Sequence, residues 1–165
     1  MPEIPDFERV VLPHLDAAHN LARWLVRDPG LAQDVVQDAA VRAISAYPGY
    51  RGGDARAWWL RIVRNVAYDM LAARRRMAGV PVDEALADTA ATPEAALGQR
   101  ESHAELDRTL AALPPELREA LVLRELEGLS YKEIAVVTGV PVGTVMSRLW
   151  RARQALLRTR AGGER

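Results

Sequence analysis

The feature that most constrains the fold is the segment 78–100, which has no helical stripe and separates two stretches that do. It contains two prolines, many alanines and more acidic than basic residues. On both sides of it apolar residues recur at helical spacing, and no strand-like alternation occurs. We therefore predict an all-α protein with two small helical domains, 1–77 and 101–165, joined by a flexible linker at 78–100. The composition also allows a short helix at about 93–98.

The first domain is predicted to contain a helix around Leu21, a helix at 31–46 and a helix at about 55–75. Asp28 or Gly30 begins the second of these, and a glycine-rich loop at 47–54 follows it. The second helix is apolar on most sides, apart from a narrow strip with Gln33, Asp34 and Gln37. Such a helix is either central in the core or partly covered by a partner, and the pattern leaves both open.

The second domain has the pattern of a helix-turn-helix. Helices at about 101–113 and 115–125 come first, and Ser130 with Glu133 then forms a capping box that begins a short helix. A turn at 139–141 leads to a long arginine-rich helix at about 142–158. Its polar face carries Gly143, Ser147, Trp150 and Arg151, and Arg148 flanks that face. The alternative is an ordinary helical hairpin with a solvated basic face.

Charge is unevenly distributed, although 22 basic and 22 acidic residues give zero net charge. Segments 51–76 and 142–165 each carry a net charge of +5, and the rest of the chain is acidic. The overall balance excludes a uniformly basic coat for nucleic acid. The two basic segments coincide with the two longest predicted helices, so two local nucleic-acid sites remain compatible with the composition.

The segment 47–76 combines five of the nine aromatic residues with seven arginines. Aromatic platforms beside cationic groups bind unstacked single strands, whereas the competing explanation is that tryptophans anchor a small core. We expect Trp59 in the core, and Trp58 and Tyr68 to be more exposed. The candidate strand-binding residues are Tyr47, Tyr50, Arg51, Trp58, Arg61, Arg64, Asn65 and Tyr68.

Several function classes are excluded or disfavoured. The chain has no cysteine, which excludes disulfides and thiolate sites. His14 and His19 are five residues apart, off the spacing of helical zinc sites, and His103 is remote. No phosphate loop or nucleophile motif occurs, so we expect no enzyme, metal or cofactor. No apolar run approaches the ~18 residues of a membrane span, and the acidic N-terminus is unlike a signal peptide. We expect a cytoplasmic protein.

Taken together, these residues resemble an extracytoplasmic-function (group-four) sigma factor of the sigma-70 family. The likeness rests on five segments in a fixed order and covers nearly the whole chain. They are Ala32–Asp38, Trp59–Asp69, Leu113–Arg118, Leu129–Ala135 and Gly143–Arg153. One departure is Ala72, where many members of this family have arginine, so contacts from that position are not expected here.

The resemblance implies a promoter-specificity subunit that binds core RNA polymerase and promoter DNA, and that is commonly held by an anti-sigma factor. Asp34, Gln37 and Asp38, with neighbouring Gln33, would bind polymerase. The loop at 47–54 would capture a flipped base of the minus-ten element, and Arg61, Arg64, Asn65 and Tyr68 would hold the melted strand. The residues that would contact the minus-thirty-five element are Lys132, Gly143, Thr144, Ser147, Arg148, Trp150 and Arg151.

The main alternative is a stand-alone helix-turn-helix regulator whose first 77 residues serve in sensing or dimerisation. The combination of aromatic residues and arginines in segment 47–76 argues against it, because a dimerisation domain has no need to stack bases.

Overall fold

The computed structural model describes residues 4–79 and 101–163, which we call the N-terminal and C-terminal halves. Both halves are helical, which confirms the all-α prediction with two helical domains. The N-terminal half contains α1 (Ile4–Val11), α2 (Leu15–Val26), α3 (Pro29–Ala46) and α4 (Ala55–Ala78). The C-terminal half contains α5 (Glu101–Ala112), α6 (Pro115–Leu121), α7 (Tyr131–Thr138) and α8 (Val142–Gly163). Most of the predicted linker and the suggested helix at 93–98 lie outside the described residues.

Helices α2, α3 and α4 pack around Trp59, whose side chain is 0% exposed. Its indole Nε1 donates a hydrogen bond to the His14 carbonyl at 3.3 Å. A buried indole N–H needs such an acceptor, because leaving it unpaired costs free energy. The prediction that Trp59 lies in the core is confirmed.

Local capping determines where the two long N-terminal helices begin. The Asp28 carboxylate accepts from the amides of Gly30 and Leu31, at 3.0 and 3.2 Å, and so caps α3. Asp54 caps α4 by accepting from the Ala57 amide at 3.0 Å. Helix α4 ends at Ala78, three residues beyond the predicted end, and Gly79, with φ of 68°, follows as its C-cap.

The C-terminal half contains the predicted helix-turn-helix. Ser130 Oγ accepts from the Glu133 amide at 3.1 Å, and the Glu133 carboxylate accepts from the Ser130 amide at 3.0 Å. The capping box is therefore confirmed. Gly139, with φ of 73°, ends α7 and allows the turn into α8. The helix predicted to continue to about residue 125 instead changes to a π turn at Val122–Leu126.

The two halves contact each other directly. Helix α4 packs on α7, and α2 packs on α6. The composition of the linker does not predict this packing, because the packing depends on surfaces that are far apart in sequence.

Within 4–79 and 101–163, no helix combines the length and apolar character that crossing a membrane requires.

Candidate nucleic-acid and protein interfaces

Helix α3 has one side in the core and one side facing solvent. Its buried residues are Ala32, Val35, Val36, Ala39 and Ala43. The opposite side, which we call the outer strip, consists of Gln33, Asp34, Gln37, Asp38, Val41 and Ile44. At 100° per residue these six positions fall within one face of the helix. The sequence left open whether α3 is central or presents a partner face, and the structure shows one side of α3 buried in the core and the other exposed to solvent.

The outer strip combines polar groups with exposed aliphatic side chains. Val41 is 62% and Ile44 is 48% exposed. The Asp34 carboxylate is exposed and has no side-chain partner among residues 4–79 and 101–163. Asp38 is different, because it pairs with Arg42 at 3.3 Å, and Arg42 also reaches Asp69 of α4 at 2.9 Å. Asp34 is therefore the acid available to a partner, whereas Asp38 is already paired.

The aromatic residues of the loop after α3 form a cluster. Tyr47 stacks on Tyr50 with ring centroids 5.9 Å apart, and Tyr50 lies 4.9 Å from Trp58. Phe7 of α1 meets the edge of Tyr47 at 5.6 Å. Phe7 was not among the predicted residues, because it lies forty residues from Tyr47 in sequence and belongs to another helix. Trp58 is half-buried whereas Trp59 is fully buried, so Trp58 is the more exposed of the two tryptophans, as expected.

The loop between this cluster and α4 remains open to solvent. Arg51, Gly52 and Gly53 are exposed, and both glycines have φ near 87°. A side chain disfavours this left-handed conformation, so glycine is needed at both positions. The Tyr50 hydroxyl donates to the Gly53 carbonyl at 3.3 Å and so ties the ring to the loop. A cleft of about 400 Å³ lies beside it, lined by Trp58 and Arg61 and by Lys132 of α7.

The polar face of α4 is partly covered by the C-terminal half. Arg64 Nε donates to the Glu119 carboxylate at 2.7 Å, and the Tyr68 hydroxyl donates to the same carboxylate at 3.1 Å. The guanidinium of Arg64 also lies over the Tyr68 ring, 4.3 Å from its centroid. Tyr68 is half-buried and so more exposed than Trp59, as expected, although Glu119 accepts from its hydroxyl. Arg61 and Asn65 on the same face remain exposed.

Glu119 is the charged group at the centre of this contact, and its side chain is 0% exposed. Burial raises the pKa of Glu119, while the adjacent Arg64 acts to lower it. Burial likewise raises the pKa of Tyr68, and the charge of Glu119 adds to that effect. Glu119 has no signal in the sequence, because nothing local distinguishes a glutamate of α6 that is buried against another domain.

A second pair of charges also connects the two halves. Arg56 of α4 donates to the Glu133 carboxylate at 3.0 Å and to the Glu127 carbonyl at 3.1 Å. Hydrogen bonding with Asp54, then with the Ser130 amide and Arg56, lowers the pKa of Glu133 to about 2. Glu133 therefore both caps α7 and links it to the N-terminal half.

The first turns of α8 are open to solvent. Gly143, Ser147, Trp150 and Arg151 are exposed, Thr144 is half-buried, and Lys132 is exposed on the preceding helix. Trp150 is 63% exposed. So much exposed apolar surface on one large side chain is typical of a residue that contacts another molecule. This geometry leaves a helix N-terminus, small residues and a guanidinium on one open face, as major-groove readers require.

Arg148 differs from its neighbours on α8. It is half-buried, its Nη1 atom has no hydrogen-bond partner in the described residues, and its charge acts on Glu119. Part of its guanidinium is therefore buried rather than fully on the open face. The described residues also contain no group of three or more acidic, histidine or cysteine side chains that could hold a metal ion.

Comparison with known proteins identifies both halves. Residues 10–77 match the family model "Sigma-70 region 2", and residues 103–156 match "Sigma-70, region 4". The RNA polymerase sigma-H factor of Pseudomonas aeruginosa is 41% identical, and the match covers 91% of this chain and 83% of that protein. The ECF RNA polymerase sigma-E factor of Escherichia coli is also 41% identical, over 77% of this chain and 72% of its own length.

A third relative, the ECF RNA polymerase sigma factor SigE of Mycolicibacterium smegmatis, is 35% identical over 93% of this chain and 61% of its own length. Among solved structures, the sigma factor RpoE of Bartonella quintana, in complex with the anti-sigma factor NepR, has a TM-score of 0.74. It is 28% identical, with 93% of this chain and 96% of that chain covered. CnrH, in complex with the cytosolic domain of CnrY, has a TM-score of 0.68 at 27% identity, with 98% and 91% covered.

Two consecutive sigma-70 regions on one chain, together with relatives of this identity and coverage, leave no other family to consider. Sigma factors are non-catalytic subunits, in agreement with the absence of a catalytic motif in the sequence. The chain belongs to the extracytoplasmic-function sigma factors of the sigma-70 family, the promoter-recognition subunits of RNA polymerase.

Proposed function

We propose that this sigma factor divides its work among three surfaces: the outer strip of α3 binds core RNA polymerase, the loop at 47–54 with α4 binds the minus-ten element, and α8 reads the minus-thirty-five element. The family assignment replaces the alternative of a stand-alone regulator. We further propose a cytoplasmic location and control by an anti-sigma factor, since RpoE of Bartonella quintana is described in complex with one.

The observation that carries the polymerase assignment is the outer strip itself. A helix whose inner side already fills the core still exposes two aliphatic side chains beside an acid, Asp34, that has no partner in the part of the chain that the structure describes. Protein interfaces combine such apolar contact with a few polar groups that fix the register. Asp34 would pair with a basic group of polymerase, and Gln33 and Gln37 would lie beside that pair. Asp38 would also bind polymerase once its ion pair with Arg42 is replaced by one with a basic group of polymerase.

The proposed minus-ten surface combines stacking with positive charge. Tyr47, Tyr50 and Trp58 would form the walls against which a flipped base stacks, and Arg51 lies at the exposed entrance. Base flipping costs a few kcal/mol, which stacking of ~1–3 kcal/mol per base can offset. Tyr50→Ala should therefore impair promoter opening, seen as lower permanganate reactivity of the strand. Equal opening by the variant and the parent would contradict this role.

The polymerase assignment can be tested by binding of the intact chain to core polymerase. Asp34→Ala should weaken this binding, because the variant lacks the acid that pairs with polymerase. Asp16→Ala is the matched control, since Asp16 is an exposed acid on α2, away from the outer strip. Equal affinities of the two variants would show that Asp34 is not at the interface.

The α8 assignment can be tested with two exposed arginines of the same helix. Arg151 lies in the open first turns, and Arg158 lies near the opposite end. Transcription by the Arg151→Ala holoenzyme should respond less to changes in the minus-thirty-five element, whereas Arg158→Ala should behave as the parent. A parent-like response of Arg151→Ala across all element variants would refute the assignment.

A further inference from the structure

The contact between the halves engages two of the side chains that the proposed function assigns to the melted strand. Arg64 Nε donates a hydrogen bond to the Glu119 carboxylate at 2.7 Å, and the Tyr68 hydroxyl donates to the same carboxylate at 3.1 Å. Arg61, on the same face, donates to the Val136 carbonyl of α7 at 3.4 Å. The strand-binding face of α4 is thus occupied by groups of the C-terminal half.

Glu119 offers Arg64 the same chemistry as a nucleic-acid phosphate. Both groups present anionic oxygens at the distance of a charge-assisted hydrogen bond, and a guanidinium binds either one with similar geometry. The Tyr68 hydroxyl likewise donates to a carboxylate or to a phosphate oxygen. A promoter strand and Glu119 therefore cannot hold Arg64 Nε and the Tyr68 hydroxyl simultaneously.

We propose that Glu119 is an internal substitute for a promoter phosphate, so that the free chain blocks its own strand-binding face until the two halves separate. The inference rests on the proposed role of Arg64 and Tyr68 in holding the strand. The second charged contact, Arg56 with Glu133 and the Glu127 carbonyl, helps keep the halves together without involving a proposed strand contact. We call these two contacts the interdomain lock.

Buried charges in the lock are incompletely compensated, which favours a contact that can open. Its central carboxylate is fully buried, and burial raises its pKa even with Arg64 beside it, so the ion pair does not fully compensate the loss of hydration. Two further guanidiniums are also incompletely satisfied, because Arg118 Nε and Arg148 Nη1 are buried without hydrogen-bond partners among residues 4–79 and 101–163. Separation of the halves would let water reach these groups, which favours opening.

The lock can be tested in the intact free chain, because the absence of native cysteine allows two labels to be placed cleanly. Exposed positions in different halves, Ser45→Cys and Ala161→Cys, carry a fluorophore pair that reports the distance between the halves. A short labelled oligothymidine reports how accessible the strand-binding face is. The lock variants are Glu119→Gln and Arg56→Gln.

Arg56→Gln is the decisive variant, because it removes a positive charge. Simple electrostatics predicts weaker oligothymidine binding, whereas opening of the lock predicts tighter binding. We expect both lock variants to increase the distance between the labels and to tighten oligothymidine binding about tenfold, the scale of one charge-assisted hydrogen bond. The control is Arg42→Gln, which breaks an ion pair within the N-terminal half only. Far-ultraviolet circular dichroism checks that each variant is folded.

An unchanged label distance in both lock variants would overturn the inference, and so would wider separation without tighter binding. In either case Arg64→Gln is then assayed in holoenzyme. Reduced promoter opening by that variant would leave the proposed strand contact standing and remove only the lock, whereas unimpaired opening would remove both.

Discussion

The aliphatic side chains on the outer strip of α3, Val41 and Ile44, provide a quantitative test of polymerase binding. We consider the double substitution Val41→Ser and Ile44→Ser. Both side chains lie outside the core, and serine has a helix propensity close to that of valine and isoleucine, so folding should be nearly unaffected. Any loss of polymerase affinity then reflects the surface itself.

The magnitude follows from how much of each side chain remains to be covered. Val41 is 62% and Ile44 is 48% exposed. Since full burial of such a side chain contributes ~1.5–3 kcal/mol, covering the exposed part contributes ~1 kcal/mol for each residue. The pair is then worth ~2 kcal/mol, and because ~1.4 kcal/mol is a factor of ten, the double variant should bind core polymerase about thirty-fold more weakly.

The assay is titration of the labelled sigma factor with core polymerase, followed by fluorescence anisotropy. Leu12→Ser is the matched control, because Leu12 is an aliphatic residue of the same half, 55% exposed and away from the outer strip. Its affinity should equal that of the parent. Parent-like binding by the double variant, or an equal loss in the Leu12 control, would refute the assignment of the outer strip to polymerase.

Three further predictions concern local structure. Ser130→Ala removes a confirmed helix cap and should cost ~1 kcal/mol, lowering Tm in thermal unfolding; a shift no larger than that of Ser45→Ala at an exposed helix position would contradict it. The pKa of Glu133 is lowered from 4.5 to about 2, so its stabilisation is present above its ordinary pKa and lost as pH falls through that interval. Denaturant unfolding should accordingly show Glu133→Gln as destabilised at pH 7 and progressively less so toward pH 2, and a pH-independent difference would argue against this. Gly139→Ala should lower stability by ~1 kcal/mol because its φ of 73° is left-handed, whereas Gly49→Ala should not, and equal effects would refute the backbone argument.

Local patterns predicted the elements well, because helices and their ends depend on neighbours within a few residues. Asp28, the Ser130 capping box and Gly139 each act over one turn, and each was found where the sequence predicted it. The apolar stripe of the third predicted helix placed Trp59 in the core for the same reason. The continuation of α6 to about residue 125 was less accurate, because a π turn and an α-helix share nearly the same periodicity.

The candidate site was predicted in part. Side chains that depend only on helical spacing, such as Ser147 and Arg151, lie on the expected open face. Trp58 and Tyr68 are more exposed than Trp59, as expected, but each is half-buried against a group outside α4: Trp58 against Tyr50 of the preceding loop, and Tyr68 against Glu119 of α6. Spacing along one helix carries no information on what a neighbouring element places against it.

By itself, the sequence determined that this chain is helical, that it has two domains and a helix-turn-helix, and that it resembles sigma factors. Only the tertiary structure decided that Val41 and Ile44 face outward, that Arg148 is half-buried, and that Glu119 holds Arg64 and Tyr68 across the domain boundary. The physical reason is the separation in sequence between the residues that interact. Helix periodicity and capping depend on residues a few positions apart, whereas the buried carboxylate of Glu119 meets Arg64 55 positions away, where only packing of the whole chain brings the two charges together.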